Sequence, residues 1–450
     1  MRLKAGHSLR ERTTEYPAFS ILMVMALILL SPFVSTYLCY FAFAVCLYRV
    51  VRYDAKVFAT DYCILLPVTQ IFQTTGGMTF LIWLCLIASI WYFLWGTVRA
   101  SATLVLLLLL VNYLITRMQL VINDFVLCFG QIFILYVLLP RQDAESAERT
   151  SKYFCWSLIL TSVYAMAVRN TAQLVAIRGV EDVAIWGTSI MRFSGLIKDP
   201  NYYMTMLVAG MASLCKLKEL EKVSTFWFCA QILVMALFGI ITYSKTFFLM
   251  LFFLGGVYII WQFWSRKVFK GMAFTILGIV AGAYLLLSEN SPFAVVMERL
   301  TSSSSLSAIT TGRTDLYIRY WNVITENIWN FLFGLGLSAP VLGKGTHMLY
   351  LEMMYYVGLI GTILILSLFF SMMRDMRKNN PHVRKQSLIA KYAVLTIVAV
   401  QYLTLQGMFQ VLTYGVFFVA FLNIVITSAE ESCSGPEEDN SPAAKIVNTN

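Results

Sequence analysis

The strongest constraint on this chain is the recurrence of uninterrupted apolar runs, roughly 17–20 residues each, along most of its length. Coiled as a helix, such a run covers about 30 Å of hydrocarbon. Inside a bilayer the backbone must satisfy its own hydrogen bonds, which leaves only helices and closed barrels. The runs are continuous rather than alternating, so they read as helices. Composition agrees: 59% of the 450 residues are hydrophobic and 13% charged, about half the charged share of a soluble domain.

The sequence therefore predicts an all-α integral membrane protein of about fourteen transmembrane helices. The expected spans are 17–32, 33–49, 58–75, 78–97, 100–116, 119–139, 153–168, 200–215, 225–242, 246–264, 271–287, 347–371, 388–405 and 409–427. They divide the chain into a cytoplasmic segment 1–16, a multi-span region 17–287, a large extracytoplasmic loop 288–346, C-terminal spans 347–427 and a polar, disordered tail 428–450. The opening "MRLKAGHSLRERTTEYP" is long and polar, and a second apolar run follows the first at once, so no cleavable signal peptide is expected.

The net charge is +10, but the basic residues fall between apolar runs and form no stripe, so nucleic-acid binding is not expected. They serve as topology signals. Alternating from a cytoplasmic N-terminus, the inner segments up to residue 385 hold 22 Lys and Arg and the outer ones 10, although the outer loops are longer. Eight of the nine cysteines lie in or beside apolar runs, and no two are spaced like a metal site. Asp124, in "LVINDFVLCFG", reads as the one acid well inside a span.

Two outer segments are long, about 169–199 and 288–346. In the second, after a serine run at 302–305, residues 314–331 read as an amphipathic helix. Leu316, Tyr320, Ile324 and Ile328 recur every four positions, with Tyr317, Trp321 and Trp329 beside them, a composition suited to a membrane interface. The same topology gathers Arg192, Lys198, Lys245, Arg299, Arg313 and His347 on one side. Lys245 breaks a long apolar stretch in a tight turn, either as a snorkelling residue or as an anion ligand. Arg313 opens the amphipathic helix between Thr311 and Thr314, and a helix N-terminus bearing arginine suits phosphate; a surface arginine would look the same. His347 is placed either to cap the next helix or to take a proton from a hydroxyl near neutral pH. Converging cations point to a polyanionic ligand.

Taken in order, "RFSGLIKDPNYYM", "TYSKTFFLM", "TTGRTDLYIRYW", "NFLFGLGLS" and "THMLYLEMMYYVGLIGTIL" resemble the signature of the O-antigen ligase and polymerase superfamily. The resemblance covers roughly 190–365, including Gly358 and Gly361 after the histidine. Two positions depart from it: the family's His-Asn is His347-Met348 here, and its Ser-Arg is Ser244-Lys245. Lysine keeps the charge and loses the bidentate fork.

The resemblance implies a GT-C-like glycosyltransferase of the bacterial cytoplasmic (inner) membrane, with its active site on the extracytoplasmic face and neither metal nor cofactor. It would move an oligosaccharide from a polyprenyl diphosphate carrier to an acceptor hydroxyl. Arg313, Lys245 and Arg192 would hold the diphosphate, and His347 would deprotonate the acceptor. Asp199, Asn201, Asp315 and Arg299 would contact sugar or orient the cations. The leading expectation is a polymerase of repeat units for O-antigen, capsule or exopolysaccharide, with a chain-length regulator and a flippase as membrane partners. The alternatives are the ligase that transfers finished chains to a lipid A core, and a transporter of lipid-linked sugar. Transport would place ionisable groups at the bilayer midplane, whereas these charges collect at one surface.

Overall fold

The computed structural model describes residues 16–74, 79–94, 100–116, 126–178, 182–185, 188–265, 313–337, 339, 341–342, 345–405, 407–408 and 410–427, with the single positions 269, 272 and 276. Arg299, Asp124, Thr311, the serine run and, apart from Met272 and Ile276, the expected span 271–287 lie outside them.

Among the described residues every other apolar run carries helix, but most of these helices stop short of the run that holds them. The first group is α1 (Ala18–Leu30), α2 (Tyr37–Arg52), α3 (Ala55–Leu65), α4 (Phe80–Leu94), α5 (Ala100–Thr116) and α6 (Gln131–Leu138). Then come α7 (Ala144–Ala167), the short α8 (Ala172–Arg178), α9 (Pro200–Glu219), α10 (Thr225–Ile240) and α11 (Lys245–Trp264). The expected span 58–75 loses its α-helix at Leu65 because Pro67 has no N–H to donate, and the chain tightens to a 3-10 turn over Leu66–Val68. Pro140 ends α6 in the same way. Conversely α7 begins well before the expected 153, because Asp143 and Ser146 cap it reciprocally.

Two sequence expectations need correction, and within 169–199 the chain adds a small antiparallel hairpin that the sequence reading did not anticipate, β1 (Asp182–Ile185) with β2 (Thr188–Met191), Asp182 opposite Met191. The single amphipathic helix is two, α12 (Arg313–Thr325) and α13 (Ile328–Phe333), because the Asn327 side chain accepts from the Asn330 N–H and starts a new helix. Leu316, Tyr320 and Ile324 are buried as expected, but Ile328 falls beyond the break and is exposed with Trp329. Asp124 is also not the one acid within a span: Asp61 in α3 and Glu352 in the next helix are both buried.

The C-terminal part comprises α14 (Leu349–Asn379), α15 (Leu388–Gln401) and α16 (Val411–Val425). Among the described residues, α11 and α14 are long and apolar enough to cross a membrane, and seven further apolar helices are shorter. Large apolar side chains are turned outward on α10 and α11, among them Phe226, Leu233, Leu249, Phe252 and Ile260. Only 39% of the apolar window of α11 is buried inside the protein, unlike a helix packed in the core of a soluble domain.

α14 is broken at Gly358 (φ 67, ψ −173). The break frees carbonyls that a continuous helix would use itself, and each finds a donor. Leu335 N–H donates to Tyr355 O at 2.8 Å and Gly336 N–H to Tyr356 O at 3.0 Å, while the Asn112 side chain of α5 donates to Val357 O at 3.3 Å. The "FGLGLS" turn thus docks onto the break and folds α12 and α13 back over α14. Tyr320 meets Tyr355 edge to face, ring centres 4.8 Å apart.

The bundle has two distinct ends. At one, Arg49 makes a two-pronged bond to Asp61 (2.7 and 2.8 Å), Lys56 pairs with Asp143, Lys222 reaches Glu148 at 3.1 Å, and buried Lys216 donates to Asn423 O. Asn380 joins the same end through Gln142 O at 3.1 Å. The other end carries the segments read above as polar and outward.

Candidate functional site

At that second end two clusters form, each from stretches far apart in sequence. The first is built on the start of α9. Asp199 caps it, accepting from Asn201 N–H at 2.7 Å, with Pro200 in the first turn where its missing N–H costs nothing. Asn201 then presents its side-chain oxygen to Arg192 Nη2 at 3.4 Å and to Ser244 Oγ at 3.2 Å. Arg192 Nε donates to Thr242 O at 2.9 Å, and Phe193 N–H to Ile241 O at 3.2 Å. The "RFSGLIKDPNYY" and "TYSK" segments are thereby pinned together, with Ser244 as N-cap residue and Lys245, half-buried, as first residue of α11. The turn before it holds Tyr243 at φ 48.

The second cluster surrounds the start of α14. Arg313, the first residue of α12, donates to Thr404 O at 3.0 Å, which occupies one of its five N–H groups. Tyr317, one turn on, donates from its hydroxyl to His347 O at 3.3 Å. Burial raises the pKa of that phenol and the neighbouring Arg313 charge draws it back, so it stays protonated as this donor requires. Leu349 N–H donates to Tyr402 O at 3.0 Å. The 402–404 turn therefore holds the arginine and the segment beginning at the histidine in one place.

His347 has φ 51, a left-handed backbone that few non-glycine residues adopt. Among the described residues only three non-glycines have positive φ. Two of them, Tyr243 and His347, sit in the two clusters; such strain persists where surrounding structure enforces it and concentrates at functional positions. Met348, not His347, is the N-cap residue of α14, and the Thr346 hydroxyl accepts from the Met348 N–H at 3.4 Å.

Gln401 links the clusters. At the end of α15, beside the 402–404 turn, it donates to the Met204 sulfur in the first turns of α9, at 3.3 Å. Arg192, Asp199, Asn201, Lys245, Arg313 and His347 therefore share one end of the bundle. Asp199 serves the cap of α9, and the Asn201 side-chain oxygen holds Arg192 and Ser244. Asp315 and Lys198 are exposed, and Arg299 is outside the described residues.

Sequence reasoning missed Glu352. Its buried carboxylate accepts from Gly407 N–H at 2.7 Å and Met408 N–H at 2.9 Å, tying the segment before α16 to the helix that His347 precedes. The available signal was a carboxylate five positions after the histidine, inside an apolar run. Among the described residues no three His, Cys, Asp or Glu side chains gather as a metal site.

Comparison of the chain with protein-family models, with curated proteins and with solved structures finds no match.

Proposed function

We propose that this chain is a multi-pass membrane glycosyltransferase that joins oligosaccharide repeat units carried on polyprenyl diphosphate, working at the outer face of a bacterial cytoplasmic membrane. The observation that carries the reading is the convergence of Arg192, Lys245, Arg313 and His347 at the bundle end opposite the basic residues Arg49, Lys56, Lys216 and Lys222. A diphosphate leaving group needs cations where its charge develops, and a hydroxyl nucleophile needs a base. In this reading Arg192 and Lys245 hold the diphosphate from beside the start of α9 and from the start of α11, and Arg313 from the start of α12. His347, fixed by Tyr317 and by the anchored start of α14, takes the proton of the acceptor hydroxyl. The outward apolar surface of α10 and α11 supports a bilayer, and the basic bias of the opposite end supports a cytoplasmic location for that end.

A repeat-unit polymerase is favoured over a ligase by the number of expected spans and by the loose spelling of the family's His-Asn and Ser-Arg pairs. Deleting the gene in its own cell tests both. A polymerase leaves single repeat units attached to the acceptor and no ladder. Loss of a ligase leaves full-length chains on the polyprenyl carrier. Unchanged surface glycan and unchanged carrier-linked pools would refute the proposal.

A further inference from the structure

The bundle carries a second feature that glycosyl transfer does not use. Between the later part of α14 and α15 runs an apolar groove of about 680 Å³, walled by Phe370, Met373, Leu395, Ala399 and Val400. It continues inward as a narrower pocket of about 220 Å³ that shares Phe370, Leu395 and Ala399 and adds Tyr414 and Phe417 of α16. At its basic end the groove reaches Arg377, which donates to the Tyr392 hydroxyl at 3.1 Å. Arg377 also lines an adjoining cavity of about 490 Å³ with Arg374, Asp375, Lys378 and Lys391. Four cations thus face one carboxylate at the mouth of an apolar slot.

From Lys391 at the basic end to Leu403 beside the 402–404 turn the α15 wall runs roughly 18 Å at the helical rise, room for an acyl chain, which needs about 15 Å of depth in its own leaflet. A cationic pocket between helices at the cytoplasmic side, opening into an apolar slot, is complementary to an anionic headgroup with its acyl chain. We infer that this groove is a binding site for an anionic phospholipid of the cytoplasmic leaflet, its phosphate held by Arg374, Arg377, Lys378 and Lys391 and an acyl chain lying between α14 and α15. The inference rests on the membrane reading of the fold and not on the reaction proposed for the opposite end. Its consequence reaches that end, because α15 leads into the 402–404 turn that holds Arg313 and Leu349. Lipid in the groove braces α15 against α14.

Native mass spectrometry of the detergent-solubilised full chain tests this directly, with phosphatidylglycerol, cardiolipin and phosphatidylcholine added in parallel. Either anionic lipid is expected to bind at no more than about a tenth of the concentration phosphatidylcholine needs. Arg374 and Lys378 are exposed, so Arg374→Ala/Lys378→Ala should fold normally. At roughly fivefold per cation it should weaken phosphatidylglycerol about 30-fold. Arg52→Ala/Lys218→Ala removes two cations elsewhere and should leave binding unchanged. Ala399→Trp fills the slot and should abolish retention of either anionic lipid with all four cations in place. Equal binding of phosphatidylcholine, or an equal loss in both charge variants, would overturn the proposal. If Ala399→Trp does not fold, the headgroup comparison and the charge variants still decide.

Discussion

Replacing Gly358 by alanine should be among the most damaging single-methyl changes available in this chain. At φ 67 and ψ −173 the residue occupies a backbone region open almost only to glycine, and forcing a side chain there costs about 1–3 kcal/mol. The added Cβ would lie 2.4 Å from Gly334 N and 2.5 Å from Phe333 C, both backbone atoms that cannot rotate away. Relieving the clash separates the "FGLGLS" turn from α14 and loses two hydrogen bonds, from Leu335 and Gly336. At about 0.5–1.5 kcal/mol each, these bring the expected loss to roughly 2–6 kcal/mol. Gly255 and Gly256 in α11 are matched controls, since a Cβ there meets nothing within 4 Å and alanine suits a helix interior better than glycine by about 0.5–1 kcal/mol. Melting of detergent-purified protein, followed by fluorescence-detected size exclusion, should show Gly358→Ala falling by at least about 5 °C, with Gly255→Ala unchanged or higher. Equal melting of the two variants would refute the docking of the turn on the helix break.

Other expectations follow from the same contacts. Arg313→Lys keeps the charge but loses the forked geometry, so glycan assembly should fall at least about tenfold, whereas Lys245→Arg should be tolerated; full activity in Arg313→Lys would reduce that residue to a surface cation. Glu352→Ala leaves the Gly407 and Met408 N–H groups buried without an acceptor, at about 1–3 kcal/mol each, and should lower the melting temperature where Glu352→Gln, which retains an oxygen, lowers it less. Transfer by purified protein should persist in excess EDTA, since cations alone are assigned to the diphosphate; activity lost to chelator and restored by Mg²⁺ would contradict that assignment.

The sequence made the helical architecture legible because apolar run length and the hydrophobic period are local properties. Among the described residues helices fall on thirteen of the expected apolar runs, two of them long and apolar enough to cross a membrane, while residues 119–125 and, apart from Met272 and Ile276, the run 271–287 lie outside the described residues. Helix ends were harder, since they depend on single residues: Pro67 and Pro140 stop helices that hydropathy would continue, and Asn327 splits α12 from α13. For the candidate site, charge and position drew attention to Arg192, Lys245, Arg313 and His347, and the structure sets them in two hydrogen-bonded clusters. The contacts that hold them are nonlocal. The Thr404 carbonyl is 91 residues from Arg313 and the Asn112 side chain 245 from Val357, and no periodicity encodes such pairings. Glu352 and Asp61 escaped notice because an acid in an apolar run has no meaning until its partners, backbone N–H groups for one and Arg49 for the other, are in place.

The central claim is that His347 removes the acceptor proton at a site whose cations hold the diphosphate. The most direct measurement is the surface-glycan ladder in cells whose own gene copy is replaced by His347→Ala, with protein level and membrane insertion followed on blots. A positioned base contributes about 10²–10⁴-fold in rate, so the variant is expected to accumulate normally, retain the lipid-linked donor and make no long polymer, while His382→Ala at the opposite end of the bundle matches the parent. A normal ladder from His347→Ala would contradict the account.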